Sequence, residues 1–426
     1  MRQLTRQWAA LAATVVTPAF AQDVPTFIYG TLNVDVERVE ATDASAARAL
    51  PAGSFGFNPT GVNVASRNRV TQNSSNLGFK GAERLSGGMS VFWQVESTVA
   101  VDSGGSNIAS RNTAIGLQGT FGSVRLGQWD TPFKTLSGAV DPMYFTGITY
   151  TGALIGTPGF GVGPVTAGGV AVSGDGRTYA SAANASFERR QGNIVQYWLP
   201  PIAGVTTRFA YSVNEGRTAG SASVTQVNPV IYSGSVEYEV GSFFVGYAYE
   251  AHDDYFGLDA LVPAAQATPV SAAIAPSASS RDKGQKFVAR VKLGSTTLGV
   301  LADRLTYAKS QSNAATGAFN GYRRDAVAFT LLHRMGTHAI RGFYSKARDG
   351  TCTRFDGSAC DTHGLGATQA SIGYSYTFSP RTDLYVFYTR VANEERGSYQ
   401  FANAAGIGAA PGARSSGSVL GIRHTF

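Results

Sequence analysis

The last eight residues read Val419-Leu420-Gly421-Ile422-Arg423-His424-Thr425-Phe426, and their order decides the fold. Leu420, Ile422, His424 and Phe426 share one parity, and Val419, Gly421, Arg423 and Thr425 share the other. Successive side chains of a β-strand point to opposite faces, so a period of two marks a strand whose faces meet different surroundings. A wall with lipid on one side and water on the other satisfies that pattern, and so does any half-buried sheet. The rest of the chain separates the two.

Period-two runs recur throughout. In 27–38, Ile28, Gly30, Leu32, Val34 and Val36 alternate with Tyr29, Thr31, Asn33, Asp35 and Glu37. A helical stripe would not keep five polar residues so strictly out of phase. Met89, Val91, Trp93 and Val95 alternate with Ser90, Phe92, Gln94 and Glu96, and Phe287, Ala289, Val291 and Leu293 with Val288, Arg290 and Lys292. Sixteen such segments are expected.

The connections carry the stronger signal. Tight turns with Gly or Pro stand at 85–88, 120–123, 200–204, 240–242, 293–295, 335–337 and 379–382. Between them lie longer stretches at 39–67, 102–107, 129–186, 215–227, 251–282, 309–320, 348–364 and 393–415. Short and long connections alternate, as in an up-and-down barrel whose every second connection lies on the same side of a membrane. An even strand number lets the first and last strands close the ring, so that no edge leaves N–H and C=O groups unpaired in lipid. The sequence therefore predicts an all-β, transmembrane antiparallel barrel of sixteen strands. No domain boundary interrupts it; the Ala/Pro/Ser-rich stretch 261–280 reads as a surface loop.

Composition agrees. No apolar run is long enough to cross a bilayer as a helix, charged residues are only 15%, and mean hydropathy is close to zero. At the N-terminus, Arg2 and Arg6 precede an apolar stretch and Ala19-Phe20-Ala21. This predicts a signal peptide over 1–21, cleaved after Ala21, and a barrel over 22–426. The net charge of +7 becomes +5 without Arg2 and Arg6, a mild basic excess. Cys352 and Cys360, eight positions apart in a polar loop, are expected to form a local disulfide; a metal pair would lack a completed coordination shell.

Several strings resemble, in order along the chain, the general-diffusion porins of β-proteobacteria. They are Asn76-Leu77-Gly78-Phe79-Lys80-Gly81-Ala82-Glu83, Ala114-Ile115-Gly116-Leu117-Gln118-Gly119, Gly122-Ser123-Val124-Arg125-Leu126-Gly127, Arg190 with Asn193 and Tyr197, Phe378-Ser379-Pro380-Arg381-Thr382, and the terminal strand. Arg84 and Gln128 depart from the family's pattern. The resemblance implies homotrimers in the outer membrane, with a long third loop folded into a water-filled pore that passes small hydrophilic solutes. It also implies that Phe426 closes a signal read by the barrel-assembly machinery. Outer-membrane lipids are the other expected partner; no nucleic acid and no cofactor are.

By parity, Lys80, Arg125, Arg208, Arg290, Lys292 and Arg341 are expected to line the lumen, with Arg38 and Lys134 as further candidates. Asp130 and Asp141 on the loop would oppose them. As a set these charges point to a weak anion preference; singly, each fits an ordinary solvated barrel interior. Outward aromatics, among them Tyr197, Tyr247, Tyr249, Tyr374 and Phe378, suit interface girdles near strand ends. Gly159-Phe160-Gly161-Val162-Gly163 is not followed by the Lys-Ser/Thr of a phosphate-binding loop. The alternatives are a substrate-specific channel for phosphate or organic anions, an adhesin, and a barrel enzyme. For the enzyme, no histidine of His252, His333, His338, His363 and His424 sits in a nucleophile motif.

Overall fold

The computed structural model describes residues 26–144, 147–158, 185–213, 215, 217, 226–262, 278–311, 314, 317–401 and 410–426. The expected signal peptide and the Gly159–Gly163 run lie outside the described residues. The described strands are β1 (Phe27–Thr42), β2 (Val64–Gln72), β3 (Asn76–Arg84), β4 (Ser90–Val99), β5 (Ser106–Asn107), β6 (Thr113–Gly119) and β7 (Gly122–Asp130). A short helix, α1 (Pro132–Ser137), precedes β8 (Arg190–Trp198), β9 (Val205–Ser212), β10 (Val230–Val240) and β11 (Phe243–Asp253). Then come β12 (Ala278–Leu293), β13 (Thr296–Gln311), β14 (Phe319–Met335), β15 (His338–Ala347), β16 (Thr351–Arg354), β17 (Ala367–Ser379), β18 (Thr382–Asn393) and β19 (Arg414–Thr425).

These segments form one antiparallel sheet, in which β1 pairs with β19 on one side and with β2 and β3 on the other. The ring is thus closed. Nineteen segments make sixteen staves, because β2 and β3 both pair with β1, β5 and β6 both pair with β4, and β15 and β16 both pair with β14. Closure is completed beyond the last strand: Gly30 and Phe426 exchange two backbone hydrogen bonds of 3.1 Å. Hairpin turns such as Gly241-Ser242 and Gly294-Ser295 put glycine at positive φ, where a side chain would be strained.

The wall is inverted relative to a protein that folds around an oily core. On β1 the apolar Ile28, Leu32 and Val36 are exposed, while Asn33, Asp35 and Glu37 are buried. An exposed apolar face and a polar interior are what a barrel in lipid requires. Most strands outrun their expected ends at the long-loop rim: β1 continues to Thr42, and β12 begins at Ala278. At these rims the phase changes: β1 buries the apolar Val39 and Ala41 on the parity that holds Asp35 and Glu37 lower down, so alternation alone does not reveal the extension.

The connection between β7 and β8 lies against the inner face. Thr131 caps α1 by accepting from Lys134 N, with Pro132 at its first turn. Wall glycines on the inward parity receive the loop's apolar side chains. A Cβ on Gly246 would stand 2.5 Å from Leu136, one on Gly284 2.7 Å from Phe187, and one on Gly299 2.9 Å from Val140. Gly417 of β19 meets Ile148 in the same way. The described loop segments thus run across the interior past β11, β12, β13 and β19.

Candidate functional site

A charged narrowing forms where the loop leaves β7 and rejoins β8. Asp130, the last residue of β7, is in register with Arg190, the first of β8, and their side chains pair at 3.1 Å. Lys134, one turn into α1, returns to the other oxygen of Asp130 at 2.9 Å. Asn112 ties the knot: it donates to Asp130 at 3.2 Å and accepts from Arg190 Nε at 2.8 Å. On neighbouring β4, Glu96 pairs with Arg111 at 2.5 Å and accepts from Tyr29 at 3.0 Å.

Asp130, Lys134, Arg190 and Arg111 border a cavity of about 490 Å³, reached also by Thr31 and Asn33 of β1 and Arg423 of β19. Four cations (Arg111, Lys134, Arg190 and Arg423) face two carboxylates there, Asp130 and Glu188. Glu188 is turned away from water, accepting from Tyr150 at 2.7 Å, from Ser137 at 2.6 Å and from the buried Lys286 of β12. Burial, with Glu188 beside it, pushes the Tyr150 phenol well above its ordinary value. Arg111 is held by Glu96 and Arg423 lies 3.9 Å from Asp383, whereas Lys134 and Arg190 share the single carboxylate of Asp130, which leaves the narrowing a net positive charge.

Other inward cations hold the loop by its backbone. Lys286 donates to the Phe133 carbonyl at 3.1 Å, Arg290 to Ala139 at 2.9 Å, and Arg341 to Pro142 at 2.6 Å, while Arg324 donates to Leu154. A guanidinium that meets carbonyl oxygens is spent on position and offers less to a passing ion.

The structure sorts the expected pore residues. Asp130 and Lys134 stand at the narrowing. Arg290 and Arg341 lie on the inward parity and act as loop anchors. Arg125 is inward but sandwiched over Trp198 (3.6 Å) and Trp129 (4.6 Å). Arg208 also lies over Trp198, at 4.8 Å, and pairs with Glu237. Lys80 is inward, over the Tyr29 ring at 5.0 Å, nearer the short turns. Lys292 is exposed and 3.6 Å from Glu239.

Two expectations need correction. Arg38 is not in the lumen: it continues the parity of Val34 and Val36, pairs with Asn68 and Ser418, and is exposed on the outer face. Asp141 does not oppose the wall; its carboxylate accepts from Met143 N at 2.7 Å and Thr151 Oγ1 at 2.6 Å, folding its own loop. Arg111, Arg190, Arg423, Glu188, Lys286 and Arg324 were missed as site residues. Strand parity could have found Arg423, Arg324 and Lys286, which shares the parity of Arg290 and Lys292, whereas Arg111, Arg190 and Glu188 depend on contacts between distant segments. Cys352 and Cys360 are bonded, with Cα atoms 5.8 Å apart. Among the described residues, no group of three or more His, Cys, Asp or Glu is placed to hold a metal ion.

Residues 8–396 match the family model of the Gram-negative porins. A segment of 145 residues is 31% identical to the major outer membrane protein P.IA of Neisseria meningitidis, covering 33% of this chain and 36% of that protein. The matched stretch thus spans about a third of that relative's length. The fold is similar to that of the anion-selective porin from Comamonas acidovorans, with a TM-score of 0.66 at 18% identity, covering 95% of this chain and 100% of the other. It is also similar to OmpT of Vibrio cholerae in its trimer form, with a TM-score of 0.57 at 14% identity over 95% and 99% of the two chains. With a closed sixteen-stave wall and a family match over most of its length, the chain belongs to the Gram-negative porin family, and its place is the outer membrane.

Proposed function

We propose that the protein is a general-diffusion channel through which small hydrophilic solutes and ions pass down their gradients, with a weak preference for anions. The observation that carries this reading is the narrowing itself, where Lys134 and Arg190 share the one carboxylate of Asp130 while Glu188 is sequestered by Lys286 and Tyr150. Selectivity in such a pore is set by the charges that border the permeant at close quarters. The loop narrows the lumen and the wall supplies its charge, so no chemistry on the solute is needed and no catalytic residue is assigned.

The working unit is a homotrimer, a reading supported by the trimer form of a neighbour of the same fold. Residues 1–21 are removed on export, and the strand ending in Phe426 presents the assembly signal. Liposome swelling tests the general-diffusion reading. Neutral sugars should enter at rates that fall smoothly with size, and an organic anion should outpace a neutral solute of equal size. Saturable entry of one solute alone would favour a substrate-specific channel instead.

A further inference from the structure

Of the four cations that border the narrowing, three are committed to the protein. Arg111 meets Glu96, Lys134 meets Asp130, and Arg190 meets both Asp130 and the Asn112 oxygen. Arg423 differs. Among the described residues its side chain makes no hydrogen bond, and the Asp383 carboxylate stands 3.9 Å away, beyond hydrogen-bond reach. Asp383 is itself held by Thr377 Oγ1, which donates to it at 2.6 Å. An arginine presents five N–H donors in a planar fork, and here they are left to water and to whatever passes.

What holds this guanidinium in place is a ring. Tyr144, on the long loop, has its ring centroid 5.2 Å from Arg423 Cζ and 4.2 Å from Arg341 Cζ. Arg341 is fixed in turn, donating to Ser375 Oγ at 3.0 Å and to the Pro142 carbonyl at 2.6 Å. The ring also packs on two rings of β18, with centroids 5.7 Å from Tyr385 and 6.1 Å from Phe387. Tyr144 stands at φ 61°, in the left-handed region that a bulky residue rarely enters. Such a conformation persists where its surroundings over-determine it. An aromatic face restrains a guanidinium without consuming an N–H, so the fork stays charged, oriented and unspent.

Arg423 and Tyr144 both border the cavity of about 490 Å³ at the narrowing. Thr31 borders it too; it is next on the inward parity to Asn33, the cross-strand partner of Arg423. A carboxylate takes two parallel N–H···O contacts from an arginine fork, whereas a halide ion has no second atom to offer. We propose that Arg423 is the residue by which the narrowing distinguishes small oxyanions, carboxylates above all, from halide ions, with Tyr144 as its positioning residue. It rests on the reading of the narrowing as the point where solutes meet charge, and it adds shape to charge.

The test uses the purified full chain in a planar bilayer, with potassium chloride on one side and potassium acetate at equal concentration on the other. The bi-ionic potential gives the acetate-to-chloride permeability ratio, and a separate KCl gradient gives the chloride-to-potassium ratio. Arg423→Lys keeps the charge and removes the fork. The acetate-to-chloride ratio should fall about threefold, while the chloride-to-potassium ratio stays as in the parent. Tyr144→Leu should give the same fall, and Tyr144→Phe, which keeps the ring, should not. Tyr144→Leu with Arg423→Lys should fall no further than Arg423→Lys alone. An acetate-to-chloride ratio unmoved by Arg423→Lys, or additive falls in the double variant, would overturn the proposal. A cation-selective parent would overturn the anion-preferring reading of the pore, and the acetate-to-chloride comparison would still decide the role of Arg423. Should Tyr144→Leu loosen the loop, seen as enlarged and noisy currents, Arg423→Lys decides alone, since it leaves the loop's own contacts in place.

Discussion

Asp130 and Arg190, sixty residues apart in the chain, close the root of the long loop as a cross-strand pair at 3.1 Å. The pair does two things at once. It fixes where the loop departs into the lumen, and it sets a carboxylate between two cations at the narrowing. Replacing Asp130 with Asn keeps the shape and removes the charge, leaving Lys134 and Arg190 unopposed. The anion-to-cation permeability ratio in dilute KCl should rise about threefold, since a unit charge within a few ångström of the path acts with roughly 1 kcal/mol in water-like surroundings. The rise should fade at molar salt, where the screening length shrinks to about 3 Å. Zero-current potentials of Asp130→Asn at low and high salt check both statements.

The buried Lys286–Glu188 pair is the loop's main charged anchor. Lys286→Met leaves Glu188 buried without its cation, a change that typically destabilises by about 3–5 kcal/mol. The barrel's strand ladder does not depend on this pair, so the expected effect is a loosened loop: noisier and larger single-channel currents, and faster protease cleavage within the loop. Lys286→Met with Glu188→Gln should recover much of the quiet trace, because no uncompensated charge then remains. Parallel current recordings on the two variants separate these outcomes.

Tyr150 gives the loop a dependence on alkaline pH. Its folded-state value lies above the ordinary phenol value, because burial and Glu188 both oppose the phenolate. Its stabilising contribution is therefore complete below the unfolded value of about 10 and is lost as pH rises above it. Channel noise should grow between neutral pH and strongly alkaline pH in the parent. In Tyr150→Phe, which has no proton to lose, it should grow less. Conductance traces across that range give the comparison.

The Cys352–Cys360 link should matter locally. Closing a loop this short restrains the unfolded chain by roughly 2–3 kcal/mol in the chain-entropy picture. Cys352 still pairs with Tyr322 through the strand ladder when the sulfurs are free. Cys352→Ser/Cys360→Ser should thus speed proteolysis between β16 and β17 while leaving conductance unchanged, as limited digestion alongside bilayer recording would reveal.

Much of the architecture could be read from residue order, because a lipid–water wall imposes a period of two and closure imposes alternating loop lengths. The closure of β19 on β1 and the shared parity of Leu420 and Ile422 follow from that rule, while the register that sets Phe426 against Gly30 does not. The site was less legible. Parity tells which face Arg290 and Arg341 occupy, and it does not tell that their guanidinium groups meet the carbonyls of Ala139 and Pro142. Glu188 and Lys286 are 98 positions apart, so their pairing depends on how the loop crosses the barrel. Arg38 is a lumen candidate from the outer end of the first strand, although its step from Val36 puts it on the outer face. The inward Gly246, Gly284 and Gly299 carry no mark in the sequence, because what needs their missing side chains is the loop's Leu136, Phe187 and Val140 above them.

Net positive charge at the narrowing, where Lys134 and Arg190 share one carboxylate with Arg111 and Arg423 beside them, sets the passage of ions. Its most direct test is the reversal potential of the reconstituted protein across a tenfold KCl gradient at low ionic strength. The potential should have the sign given by chloride outrunning potassium, and should shift toward zero when Arg190 and Arg423 are both replaced by Gln. A potential of the opposite sign in the unaltered protein would contradict it.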